Sequence, residues 1–123
     1  ITKLNVYAGS LIAEGSGSGT EYGVKIGSEF NIFGGKVTVI GRDDYAIDGG
    51  AGAVISVNGG EFYVGNPKST KKAIEGTNVT LNFASDLTGK AGTYVDGWET
   101  DDSWGTPITT GYTGTDQCVK VTP

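Results

Sequence analysis

Apolar and polar residues alternate along this chain in short runs, and the runs recur. Leu4-Asn5-Val6-Tyr7-Ala8-Gly9 returns as Phe30-Asn31-Ile32-Phe33-Gly34-Gly35, then as Ile55-Ser56-Val57-Asn58-Gly59-Gly60. A less complete copy is Val79-Thr80-Leu81-Asn82. The starts at residues 4, 30, 55 and 79 lie 26, 25 and 24 residues apart. A period of that size marks repeats that cannot bury their apolar faces alone and must stack on one another. Each repeat carries a second run, Leu11-Ile12-Ala13, Val37-Thr38-Val39 and Phe62-Tyr63-Val64, ending close to Gly15, Gly41 and Gly65. A third run ends in glycine again: Tyr22 to Gly27, Tyr45 to Gly49 and Lys72 to Gly76.

Three short strands per repeat with glycine at the corners predict an all-β fold, a parallel β-helix of four to five coils. An antiparallel sandwich would space its strands similarly. It would not explain one tripartite pattern recurring in register. The inward stacks expected are Leu4-Phe30-Ile55-Val79, Val6-Ile32-Val57-Leu81 and Leu11-Val37-Phe62. Variable loops at Ser16 to Glu21, Arg42 to Asp44 and Asn66 to Lys71 should gather on one face. Ser16-Gly17-Ser18-Gly19 is flexible by composition. Past Leu81 the pattern loosens. Gly92 to Gly97 still resembles a third element, Trp98 to Gly105 breaks the rhythm, and Val119-Lys120-Val121 supplies a last strand. An open stack end exposes strand edges, so residues 92–123 are read as a cap that lays Trp98 and Trp104 over the core. The whole chain, 1–123, reads as one domain, with repeats over 1–91.

Composition sharpens this picture. The 123 residues include 22 glycines at repeat positions and only 3 prolines, and 37% of the chain is apolar. Nine basic residues against 14 acidic ones leave a net charge of −5. That argues against nucleic acid, which needs a clustered basic surface, and equally against an anionic polysaccharide or membrane. No apolar run approaches the ~20 residues of a membrane-spanning helix, so no membrane insertion is expected. The chain has no histidine, which excludes Ser-His-Asp and Cys-His machinery and histidine metal sites. Cys118 is the single cysteine; its alternating neighbours place it in a strand as a small buried hydrophobe rather than a reactive thiol. The chain begins at Ile1 in strand-like sequence without an initiating Met, which reads as a processed form or an excised module.

The unit Gly34-Gly35-Lys36-Val37-Thr38-Val39-Ile40-Gly41 resembles the GGTVTATGG repeats of secreted bacterial surface proteins. Ala46-Ile47-Asp48-Gly49 is similar to the piece that follows there, and Cys118 to Pro123 to the terminus that closes such modules. The resemblance covers nearly the whole chain, and its motifs are structural. It implies a right-handed parallel β-helix, an extracellular or cell-surface bacterial location, and carbohydrate-binding-like modules. Some relatives are associated with calcium and plant cell-wall polysaccharides. The resemblance carries no catalytic signature.

Two constellations could carry chemistry. If the third elements stack in register, Lys25, Asp48, Glu75 and Asp96 form an outward rank roughly 5 Å apart. Like charges on adjacent strands repel, and a Ca²⁺ with oxygen ligands at about 2.4 Å would relieve Asp48, Glu75 and Asp96. Asp43-Asp44 and Asp101-Asp102 add carboxylates nearby. The alternative is a solvated column with splayed side chains. None of these residues has the spacing of a known calcium loop. Carboxylate pairs about 5–9.5 Å apart also serve glycosidases, but any acidic surface offers such pairs, and the chain is read as non-catalytic. The second constellation is aromatic. Tyr7, Phe33 and Tyr63 fall at outward positions among Asn5, Asn31, Ser56, Asn58, Thr80 and Asn82, a platform able to stack on a sugar ring and pair with its hydroxyls. Packing against a loop or neighbouring domain would use the same residues structurally. Trp98, Trp104, Tyr94 and Tyr112 form a third aromatic group, read first as cap and second as sugar platform. The Asn78-Val79-Thr80 sequon adjoins a core strand, and no modification is expected. The function expected is non-catalytic binding of a polysaccharide or host glycan by Tyr7, Asn31, Phe33, Asn58, Tyr63, Trp98 and Trp104. The alternative is a stalk or spacer joined to neighbouring domains of a longer surface protein.

Overall fold

A computed structural model describes residues 2–15 and 22–123. The Ser16 to Glu21 loop, expected to be flexible, lies outside the described residues. The described chain is all β, with no helix. The first repeat holds β1 (Lys3–Val6), β2 (Ser10–Glu14) and β3 (Val24–Ile26). The second holds β4 (Glu29–Ile32), β5 (Lys36–Ile40) and β6 (Ile47–Gly49), and the third β7 (Val54–Val57), β8 (Glu61–Gly65) and β9 (Ile74–Glu75). There follow β10 (Thr80–Phe83), β11 (Thr88–Gly92), β12 (Thr106–Ile108) and β13 (Cys118–Thr122).

Equivalent strands of successive repeats lie side by side. One sheet runs β1-β4-β7-β10 and another β3-β6-β9, and all their pairings are parallel. A third, mixed sheet runs β12-β11-β13-β8-β5-β2. Within it β2, β5 and β8 are parallel, whereas β13 is antiparallel to both β8 and β11. Period-two alternation turns one set of side chains into a common core. Phe30, Ile32, Val37, Val39, Ile55, Val57, Phe62 and Val64 are all fully buried. Gly60 sits at a corner with φ +76, and a Cβ there would collide with the backbone carbonyl of Gly35 one repeat earlier. Only glycine admits both the positive φ and that approach.

The expected register holds for three repeats and slips at the fourth. Leu4, Phe30 and Ile55 align as expected, but Leu81, not Val79, continues the row, and Phe83, not Leu81, continues Val6-Ile32-Val57. The third interval is therefore 26 residues, from Ile55 to Leu81, rather than 24. The extra residues are taken up by a turn in which Gly76 has φ 140 and Asn78 has φ 56, a left-handed conformation that asparagine tolerates. Val79 is instead buried beside Gly49 and Gly76.

Residues 92–97 do not form the expected third element: they run from the end of β11 into a turn. The last strand, expected at Val119 to Val121, is present as β13. It does not close the stack from beyond but slots between β8 and β11.

Candidate functional site

The outer face of the β1-β4-β7-β10 sheet carries the most unusual surface. Phe33 N donates to Val6 O at 2.8 Å and Asn58 N to Ile32 O at 2.7 Å, which sets Tyr7, Phe33 and Asn58 in one row past the strand ends. The Tyr7 and Phe33 rings stack at 5.0 Å between centroids with 11° between planes. They are nevertheless 68% and 45% exposed. Rings this close and parallel form an offset stack, one partly over the other. They therefore do not lie side by side as a flat floor. Phe33 covers one face of Tyr7, and no other ring among the described residues stacks on it.

The adjoining row is Asn5, Asn31, Ser56 and Asn82. Thr80 belongs one row further out, beside Val54. The Asn31 side-chain amide donates to Asn5 Oδ1 at 3.0 Å, so the two amides form a ladder beside the rings. Beyond them Lys3 and Glu29 pair at 2.8 Å. Their mutual hydrogen bond raises the Lys3 pKa and lowers that of Glu29. Two aromatic rings, a row of amides and an ion pair thus lie on one exposed strip.

Tyr63 does not join that strip. It belongs to β8 and is only 5% exposed. Its row across the sheet is Ile12, Thr38, Tyr63 and Lys120. Tyr63 packs edge-on against Trp98 at 6.3 Å, and its hydroxyl donates to Glu61. Trp98, which is fully buried, lies 5.1 Å from Trp104, and Cys118 completes this second apolar cluster. A Cβ on Gly65 would strike the Trp98 ring and the Cys118 sulfur, so the absence of a side chain there lets the indole pack against the strand. Trp98 and Trp104 are therefore neither a ligand platform nor a lid over the end of the repeats. They cover the outer face of β8 and β13, strands that are consequently buried on both sides.

Lys120 holds this cover in place. It is buried, and its ammonium donates to the carbonyls of Trp98 at 2.8 Å, Asp101 at 2.9 Å and Glu99 at 3.3 Å. It also lies 5.3 Å from the Trp104 ring centroid. Three donors meet three carbonyls of one turn, which offsets desolvation of the charge. Burial pulls its pKa down, and neighbouring Lys90 adds to the effect. Nothing in the alternation around Lys120 distinguishes it in the sequence from a solvated strand lysine.

The acidic rank is only partly assembled. Lys25 aligns with Asp48, and Asp48 with Glu75. The Lys25 ammonium lies 3.9 Å from the Asp48 carboxylate, the favourable pair expected. Partial burial, then the charges of Asp48, Asp44 and Glu75, push the Tyr22 phenol up. Asp96 is not in the rank. It lies in the turn that follows β11, because the sheet ends at β9. Among the described residues no three His, Cys, Asp or Glu side chains are grouped so as to hold a metal ion.

A cleft of about 360 Å³ opens between Ser69–Lys72 and Thr93, Asp116 and Gln117, and none of the expected ligand residues lines it. Beneath it the buried Asn66 donates its backbone N–H to Gln117 O at 3.1 Å. Comparison with protein-family models, with curated proteins and with solved structures finds no match to this chain.

Proposed function

We propose that this chain is a right-handed parallel β-helix module of a secreted or cell-surface bacterial protein. On this reading it binds a polysaccharide or host glycan without catalysis, on the strip carrying Tyr7, Phe33, Asn5, Asn31 and Asn58. One observation carries the reading: two large aromatic rings are stacked and exposed beside a hydrogen-bonded amide ladder. The open face of Tyr7 suits the apolar C–H face of a pyranose. Asparagine amides both donate and accept, as sugar hydroxyls require. Exposed aromatic anchors beside polar groups are the usual energetic centre of a recognition surface. The repeat resemblance supports the same reading.

The test is a calorimetric titration against plant, mucin and bacterial polysaccharides, with and without chelator. Binding to one polymer class is expected, and Tyr7→Ala should weaken it at least about tenfold, while Val95→Ser, an exposed apolar site in the cover turn, leaves it unchanged. If Ca²⁺ assists at Asp48 and Glu75, chelator should weaken binding; binding unchanged by chelator would confine the site to the strip. Equal affinity of wild type and Tyr7→Ala would remove the strip as the site.

A second reading, a stalk or spacer, is favoured by a different observation. The inward side chains Leu4, Val6, Leu11 and Ala13 of the first repeat are only half-buried, unlike their counterparts one repeat later. They have room for further chain to pack on them. Silence across the whole panel would favour this account.

A further inference from the structure

The first repeat ends in open sheet edges. Strands β1, β2 and β3 each stand last in their sheet, with no partner on the outer side among the described residues. Edge strands of soluble proteins are ordinarily guarded by lysine, proline or a bulge. At the centre of β2 stands Ile12 instead, an aliphatic side chain 67% exposed. In a parallel pair, alternate residues direct both N–H and C=O to the same neighbour. Lys36 N donates to Gly9 O and Gly15 N to Ile40 O, so the odd-numbered residues of this segment serve β5. The peptide groups of Ser10, Ile12 and Glu14 therefore face outward, with no partner among the described residues.

We propose that two copies of this chain associate through β2, antiparallel, about a two-fold axis at Ile12. The segment is self-complementary in that arrangement. Ile12 meets Ile12 of the second copy, and each Leu11 meets an Ala13, a large side chain against a small one that would extend the half-open core. Each Ser10 meets a Glu14, a hydroxyl against a carboxylate. No like charges oppose one another along β2, and Glu14 is already balanced by Arg42 at 3.2 Å. The lysines flanking the edge, Lys3 and Lys25, are balanced by Glu29 and Asp48. Antiparallel addition to this sheet has a precedent within the chain, where β13 pairs with β8. A two-fold contact of this kind is closed, so it yields a dimer and not a fibre.

Sedimentation equilibrium on the whole chain tests this, together with three substitutions at Ile12. Wild type should approach twice the 12.6 kDa chain mass as concentration rises. Ile12→Lys and Ile12→Glu should each sediment as monomers with unchanged circular dichroism, and an equimolar mixture of the two should recover the dimer. Ile12→Cys should cross-link on mild oxidation. A hydrogen-bonded antiparallel pair sets Cα atoms about 5.5 Å apart, inside the span of about 4.4–6.8 Å that a disulfide bridges. Cys118 is buried and does not compete. A wild type that stays monomeric at every concentration overturns the proposal. So does a dimer that survives Ile12→Lys.

Discussion

Among the described residues β1, β2 and β3 of the first repeat are unpaired on one side, whereas past β8 the chain doubles back and lays β13 beside β8. The two regions start from the same strand pattern. Leu11, Val37 and Phe62 are equivalent inward positions, yet Leu11 is half-buried and the other two are fully buried. The outward row differs more. Ile12 stands in solvent, while Tyr63, two strands away in that row, is covered by Trp98. An outward residue in a stacked repeat thus has no fixed environment. Whatever the chain lays across it decides whether it is surface or core.

The largest consequence should appear on the covered side. Trp98→Ala removes a fully buried indole, and losses of about 3–5 kcal/mol are usual for such truncations. The midpoint of urea unfolding should fall accordingly. Tyr7→Ala, at an equally aromatic but exposed position, should leave it nearly unmoved. Equal effects would erase the contrast between the two regions.

Next in size is a pair within the core. Ile55→Ala should cost about 2–5 kcal/mol. Leu4→Ala, in the same inward row, should cost clearly less, since a half-exposed side chain has less transfer free energy to lose.

Lys120→Met retains the aliphatic stem but leaves the Trp98, Glu99 and Asp101 carbonyls without their donor. Unsatisfied buried acceptors cost about 1–3 kcal/mol. Hydrogen exchange of the amides in the 95–104 turn should quicken while those of β4 and β5 do not.

The last effect is a pH dependence, confined to alkaline solution. Burial pushes the Cys118 thiol from its ordinary 9.0 up to about 12. Burial also raises the Tyr63 and Tyr112 phenols above their ordinary 10.0. In the unfolded chain these groups ionise from about pH 9. The folded chain then binds more protons, and stability falls as pH rises through that window. Lys120 opposes this just below 10.5, because its folded pKa is lowered. Melting temperatures between pH 8 and 11 should decline in wild type. Cys118 should resist thiol reagents at pH 8 until the protein unfolds, and rapid labelling of the native protein would contradict a buried, protonated thiol.

Much of the architecture was legible in the linear pattern. The alternation at Leu4-Val6, Phe30-Ile32 and Ile55-Val57 specifies strands, and a constant interval specifies which strands neighbour each other, because period-two geometry allows one inward set per strand. The Lys25–Asp48 pair follows from the same register. Hydrophobic spacing places the fourth repeat two residues early, since the left-handed turn at Asn78 leaves no mark on that spacing. The candidate strip was half legible. Tyr7 and Phe33 were identifiable as outward, but the same argument assigned Tyr63 and Asp96 to surfaces they do not occupy.

Local periodicity, then, is enough to establish an all-β chain whose first three repeats pair in parallel register, with Phe30, Ile32, Val37, Ile55 and Phe62 inside. It depends only on which side of a strand each residue takes. The place of β13, the burial of Tyr63, Trp98 and Lys120, and the exposed stack of Tyr7 on Phe33 depend on contacts between residues far apart in the chain. Spacing along the backbone holds no record of those contacts. They are settled when the returning segment covers one stretch of the sheet and leaves the first repeat open.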